Sequence, residues 1–284
     1  MPESHTFITH PFPKYRELII DSSRMAYIKS AISAYLEIDV TRPRQLIREL
    51  RNSRGIGLSL FSFLLASIGR AIVADPSVQS YRNLFGRLVI FQDVDIVVPI
   101  ERDGEEGSLP LLYIIRGANT KDPLQIQKDI VDAKNGNQPD RMSELSFQVK
   151  FFLLFPRPIR LLFFRLIKRM PGLFIKTMGS IAVTSVGMFG HSLTWGINAS
   201  VYTTNIVIGG IRKKPMMIKN KLENRDILHV TVSMNHDLVD GAAGARFAQK
   251  LTKLIESAKV LREFIDGPDF PDPAMVETKT LLRD

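Results

Sequence analysis

The chain contains no cysteine. A thiol nucleophile, structural disulfides and thiolate zinc sites are therefore excluded together. The same absence is compatible with a reducing compartment, and a cytoplasmic location is expected. Histidine is scarce, with only His5, His10, His191, His229 and His236. None of them forms HExxH. His229 and His236 lie seven residues apart along an extended segment, which puts them on opposite faces, so no metal site is expected. There is no GxSxG elbow, no GxxxxGK loop and no GxGxxG after a strand, which removes that class of serine hydrolase, P-loop enzymes and dinucleotide-binding oxidoreductases. The N-terminus, MPESHTFITHPF, lacks a basic segment followed by an apolar run, so no secretory signal is expected. The longest apolar run, Ile56 to Ala74, is interrupted by Arg70 and falls short of the ~20 residues a membrane span needs. It reads as a buried core helix.

Internal repeats and low-complexity linkers are absent as well, so residues 1–284 are expected to form one continuous domain. At 45% hydrophobic residues the chain has enough apolar mass for a substantial core. The formal net charge is +9, which favours an anionic partner: a phosphorylated cofactor, a nucleic acid or an acidic membrane surface. Nucleic acid is the weakest of these, because the basic residues are scattered and no reader motif is present.

Periodicity sketches an interleaved α/β pattern. Helices are expected over 13–33, 42–53, 58–74 (stopped by Asp75-Pro76), 123–134 and 241–263. Strands are expected over 34–40, 87–100, 111–115, 179–186, 205–211 and 225–234, with an acidic turn, DGEEG, between the second and third. A loose tail occupies about 266–284. The segment Phe151 to Arg169, FFLLFPRPIRLLFFRLIKR, places Arg157, Arg160, Arg165, Lys168 and Arg169 within about half of a helical wheel. Two readings stay open for it: an interfacial helix making peripheral contact with anionic lipid, or an apolar element packed on the body with its basic side wet.

The chemistry concentrates in TVSMNHDLVDGAAGARFAQKL, Thr231 to Leu251. His236 stands at the exit of a hydrophobic strand, and Asp240 follows at the mouth of a helix, where its carboxylate is suited to accept from an orphan backbone amide. Gly241 and the small residues after it allow close approach of a backbone or a ligand. A turn of this kind holds an imidazole rigidly, as a general base near neutral pH requires.

HxxxDG resembles the active-site motif of the acyltransferase superfamily that includes chloramphenicol acetyltransferase and the catalytic domain of dihydrolipoyl acyltransferases. Four further segments agree in order: Glu37-Ile38-Asp39-Val40-Thr41 with the family's E-x-D-V-T strand end, DVDIVVPI with its central strand, VTSVGMFG (Val183 to Gly190) with T-I-S-N-L-G-x-F-G, and then NIVIGGI. The likeness covers roughly residues 15–260. It implies an α/β open sandwich of the chloramphenicol acetyltransferase type, a mixed sheet with helices packed on one side. It also implies a homotrimer with active sites between subunits, and direct transfer of an acyl group from coenzyme A to a thiol, hydroxyl or amine.

In that scheme His236 is the base, Thr184 donates to the oxyanion, and Ser185 does so if the register slips by one. Asp240 is held by an arginine near the N-terminus, for which Arg16 is the candidate. Two departures concern the acceptor. Asn235 and Asp237 flank the histidine where the family usually has Asp or His and then Arg. The apolar-basic stretch at about 140–175 is atypical, and no lipoyl domain precedes the catalytic resemblance, so a stand-alone enzyme is expected. Its rivals are a non-catalytic trimeric scaffold and a membrane-surface homologue of the same fold.

Overall fold

The computed structural model describes residues 16–26, 30–102, 109–136, 151–186, 195–267 and 270. The acidic turn DGEEG, most of the C-terminal tail, His191 and the end of the VTSVGMFG segment lie outside them. The described elements are α1 (Arg16–Ala26), β1 (Ala31–Asp39), α2 (Thr41–Arg54), α3 (Leu60–Ala74), a 3-10 turn (Pro76–Gln79), β2 (Tyr81–Arg82) and β3 (Leu88–Val89). They continue with β4 (Ile96–Arg102), β5 (Leu109–Ile115), α4 (Pro123–Asn135), α5 (Arg157–Arg169), α6 (Pro171–Met178) and β6 (Ile181–Ser185). The last are β7 (Thr204–Ile218), β8 (Lys221–Asn235), α7 (Gly241–Glu256) and α8 (Lys259–Ile265).

Local chemistry explains where several of these begin and end. Ser59 caps α3 by accepting from the Ser62 N–H, and Pro76, which has no N–H to give, follows its last turn. Asp122 and Gln125 form a reciprocal capping box at the start of α4. At the corner from β1 into α2, the Asp39 carboxylate accepts from the Thr41 N–H at 2.9 Å and from Arg225 Nε at 2.7 Å. The Thr41 hydroxyl in turn accepts from the Asp226 N–H at 2.8 Å. The Glu-x-Asp-Val-Thr sequence is thus the joint that locks the edge strand to β8.

The main sheet has the order β1-β8-β7-β6-β4-β5 and is mixed: β6 runs parallel to both β4 and β7, and the other neighbours are antiparallel. Alternation on β8 separates its faces. Leu228, Val230, Val232 and Met234 join Ile38, Val98, Val183 and Ile206 in a core closed by residues of α2, α3, α4, α7 and α8, among them Phe63, Ile72, Phe247 and Leu251. The helix-on-sheet layer expected from the sequence is therefore present. The other face carries a smaller apolar cluster at β4, where Val97 and Tyr81 meet Ile167 of α5 and Phe174 of α6.

Several expectations shift. The first helix ends by Ala26, because Ala31 to Ser33 pair with β8 as strand. The run 87–100 divides into β3 and β4. Asp95, between them, is buried and turned to Arg116 Nη1 at 2.6 Å and the Gly117 N–H at 3.0 Å, so its local backbone leaves the extended ladder. The last helical pattern breaks at Ala258, whose φ of +51° belongs to the left-handed region.

The 151–169 segment packs on the body through its basic residues as well as its apolar ones. Arg160, buried, reaches Asp21 at 2.8 Å and Glu17 at 2.9 Å on α1, and Arg157 reaches Asp21 at 3.1 Å. Arg165 and Arg169 stay exposed, as do Ile159, Leu162, Phe163 and Leu166. Among the described residues no helix is long and apolar enough to cross a membrane.

Candidate functional site

His236 is the first residue after β8. Its N–H extends the β1–β8 ladder by donating to the Ser30 carbonyl at 2.7 Å, and the residue is exposed at the end of the sheet. Asn235 before it is buried, its N–H given to the Thr203 carbonyl at 2.8 Å and its side-chain oxygen facing the Asp237 N–H at 3.4 Å. The Asn235 carbonyl accepts from both Leu238 and Val239, which closes the turn. The chain leaves this turn at Asp240, whose carboxylate accepts from the Ala243 N–H at 2.7 Å and caps α7. The turn is pinned at both ends, by the bond to Ser30 and by the Asp240 cap.

The cap occupies Asp240 in the way its position in the sequence implied. Arg16 opens α1, exposed, and among the described residues no ion pair joins it to Asp240. The acids of α1 are instead spent on Arg157 and Arg160 of α5. Gly241 makes no close contact either, since a Cβ there would meet nothing within 4 Å. The tight small residue is Gly244, where a Cβ would come to 3.2 Å from Met234 Sδ.

His229 is a packed histidine. Its ring is buried, Nδ1 lies 3.0 Å from the Gly210 carbonyl, and Trp195 meets it edge-on with ring centroids 4.3 Å apart. Nε2 is 3.6 Å from Glu37, whose carboxyl is held below the usual range chiefly by the hydrogen bond from Lys214. His229 shares the sheet face opposite the helices with Thr231, Ser233 and Asn205, all buried. Ser233 bonds Ser33 across the strands at 2.8 Å.

Thr184 and Ser185 end β6, both half-buried. Thr184 pairs with Val207, and Val207 pairs with Thr231 of β8. His236 lies five residues past Thr231, in the direction opposite to that in which β6 ends. At about 3.3 Å per residue and about 4.8 Å between strands, the Cα atoms of His236 and Thr184 stand roughly 19 Å apart within one chain. A general base and an oxyanion donor must both reach atoms of one tetrahedral centre, each within about 3 Å. One chain does not bring them together.

Sequence reasoning did not find the cavity that opens beside the His236 turn. It measures about 750 Å³ and is lined by Asn235, Asp237 and Leu238 of the turn, by Arg82 and Leu84 of the β2–β3 hairpin, and by Leu162, Arg165, Leu166 and Arg169 of α5. Among the described residues no cluster of three or more metal-ligating side chains occurs.

Residues 176–262, which contain Thr184, Ser185, His236 and Asp240, match the family of 2-oxoacid dehydrogenases acyltransferase (catalytic domain). The chain is 24% identical over 199 residues to the dihydrolipoyllysine-residue acetyltransferase component of the pyruvate dehydrogenase complex of Mycoplasma genitalium, covering 70% of this chain and 44% of that protein. It therefore spans under half the length of that relative. In fold it matches the cubic core of a pyruvate dehydrogenase multienzyme complex, with a TM-score of 0.68 at 16% identity, over 92% of this chain and 96% of that one. A probable dihydrolipoamide acetyltransferase from Listeria monocytogenes gives a TM-score of 0.65 at 17% identity, over 88% and 95%. The family resemblance seen in the sequence and the fold it implied are both borne out.

Proposed function

From the match of residues 176–262 to an acyltransferase catalytic domain, we propose that the chain is a coenzyme A-dependent acyltransferase working as a homotrimer. His236 takes the proton of a thiol, hydroxyl or amine as that atom attacks the thioester carbonyl, and returns it to the departing coenzyme A thiolate. Thr184, or Ser185 beside it, donates to the oxyanion. The observation that carries the reading is the exposed His236 at the strand exit, in a turn closed by Asn235 and by the Asp240 cap, within the matched segment.

The roughly 19 Å between His236 and Thr184 supports the trimer. A symmetric ring lets the histidine of one subunit face the threonine of the next, and every interface then carries one complete site. The net charge of +9 favours approach of the coenzyme A phosphates.

Calorimetric titration with coenzyme A and with acyl thioesters of increasing length tests the donor half without knowledge of the acceptor. Binding with a length optimum is the expected outcome. A folded trimer that ignores millimolar thioester would leave a non-catalytic scaffold as the reading. Contact with an anionic membrane is a second reading, favoured by exposed Ile159, Leu162, Phe163 and Leu166 beside Arg165 and Arg169. It requires that vesicle flotation fall when Arg165 and Arg169 are reversed in charge.

A further inference from the structure

The arginines of α5 divide into two sets. Arg157 and Arg160 are consumed by Asp21 and Glu17. Arg165 and Arg169, two and three turns along, make no ion pair among the described residues and line the cavity beside the His236 turn. Arg82 joins them from the β2–β3 hairpin, likewise without an acidic partner among the described residues. The hairpin is fixed against the helix, because the Leu84 N–H donates to the Arg169 carbonyl at 3.1 Å. Three arginines thus line one cavity.

The rest of the lining is mixed. Met25, Leu84, Leu162 and Leu166 supply apolar wall, and the end toward the base carries Asn235 and Asp237. Among the described residues Asp237 is the single acid in the lining. Opposite charge attracts an anionic group to the arginines, and the carboxylate of Asp237 repels it. His236 itself is not in the wall. Its two chain neighbours are, which places the reacting end of a guest at the turn that carries the imidazole.

We propose that this cavity is the acceptor subsite, and that the acceptor is an anionic amphiphile. It carries a carboxylate or phosphate on an apolar carbon body, with a hydroxyl, thiol or amine at the far end. The acid group is held by Arg82, Arg165 and Arg169, the body lies along Leu84, Leu162 and Leu166, and the nucleophilic end reaches His236. With a hydroxyl, the O–H proton passes to the imidazole, oxygen bonds to the acyl carbon, the carbon–sulfur bond breaks, and the thiolate recovers the proton. The products are an ester and free coenzyme A. Assigning the guest as acceptor rests on the acyltransferase reading; the charge and shape of the cavity do not.

Octanoate and octanamide share size and differ in charge, so they isolate the arginines. Calorimetry on the full chain at low salt is expected to show octanoate binding about tenfold or more tighter than octanamide. In Arg165→Glu/Arg169→Glu that ratio falls to about one, with octanamide unaffected. Inorganic phosphate alone binds far more weakly than octanoate. Turnover then follows the same order, with 8-hydroxyoctanoate acylated in preference to 8-hydroxyoctanamide.

Equal affinity for acid and amide in the wild-type chain, or phosphate binding as tightly as octanoate, would overturn the proposal. So would an acid preference that survives the double reversal. Titration with acetyl-coenzyme A on the same samples separates the two levels. Absent thioester binding with the acid preference intact removes the acyltransferase reading, and with it the role of acceptor. Thioester binding with no acid preference removes only the subsite.

Discussion

The separation of His236 from Thr184 within one chain makes a quantitative demand on mixed assemblies. On the proposed mechanism Thr184→Ala removes one oxyanion donor, a loss of about 2.7–4 kcal/mol of barrier, or some 10²–10³ in rate. His236→Ala removes the proposed base, at a cost of about 10²–10⁴. Each variant alone is expected at or below about one per cent of wild-type turnover. Trimers holding both kinds of subunit behave differently. Around a ring of three with either two-to-one composition, one interface joins an intact histidine to an intact threonine, so about a third of the sites are restored. The two chains, carrying different affinity tags, are co-expressed and purified through both. Coenzyme A release from the thioester is then followed with a thiol reagent. A rise from about one per cent to about thirty is far outside experimental scatter. Doubly tagged trimers no more active than their parents would refute the shared site, because the strand register leaves base and hydroxyl too far apart to act within one subunit.

Other expectations concern the frame around the site. Asp21→Ala leaves Arg160 buried without its principal partner, and a loss of about 3–5 kcal/mol in urea unfolding is expected. Gly69→Ala would set a Cβ 2.7 Å from the Ala118 carbonyl oxygen, in backbone that cannot move aside, and about 1–3 kcal/mol is lost by the same measurement. Asp39 is raised by burial and lowered by more through its bonds from Thr41 and Arg225, so its folded pKa lies below the ordinary carboxylate value. The stability it contributes is present above about pH 4 and fades as pH falls through the depressed value, so Asp39→Asn flattens the acid limb of a urea-midpoint profile. Asp240→Ala costs about 1 kcal/mol through the lost cap, which Asp240→Asn retains. Should Asp240→Asn keep stability and lose turnover, the carboxylate charge serves the chemistry as well as the helix.

What could be read from the chain depended on how local the determinant is. α3 was legible because Ser59 and Asp75-Pro76 bracket an apolar run, and the His236-to-Asp240 turn because strand, histidine and cap follow one another in a few residues. The hairpin joining β7 to β8 was not, since its tip, Lys219-Asn220, takes positive φ at both positions with no glycine to announce it. α6 escaped notice for a related reason: its Pro-Gly opening reads as a turn, and its helix is held by Phe174 packing on Tyr81 and Tyr202. The five cations of the 151–169 segment looked alike on a helical wheel. Only α1, more than a hundred residues earlier, distinguishes those that anchor from those left for a ligand. The cavity was illegible because its lining is drawn from α1, a hairpin, α5 and the end of β8.

The anchoring of α5 also bears on how the molecule opens. Its attachment rests on Arg157 and Arg160 gripping two acids of α1, on the Leu84 N–H bonded to the Arg169 carbonyl, and on Ile167 in the smaller apolar cluster, whereas β7 and β8 are held by a long ladder over the main core. Helices α1 and α5 are therefore expected to open as one unit while the sheet stays closed. Native-state hydrogen exchange should show their amides leaving together, at a lower free energy than those of β8. Each such excursion dismantles the wall that carries Arg165 and Arg169 and leaves His236 on its strand, so a tightly held guest would slow the exchange of all of α1, although Met25 is the residue of that helix in the wall.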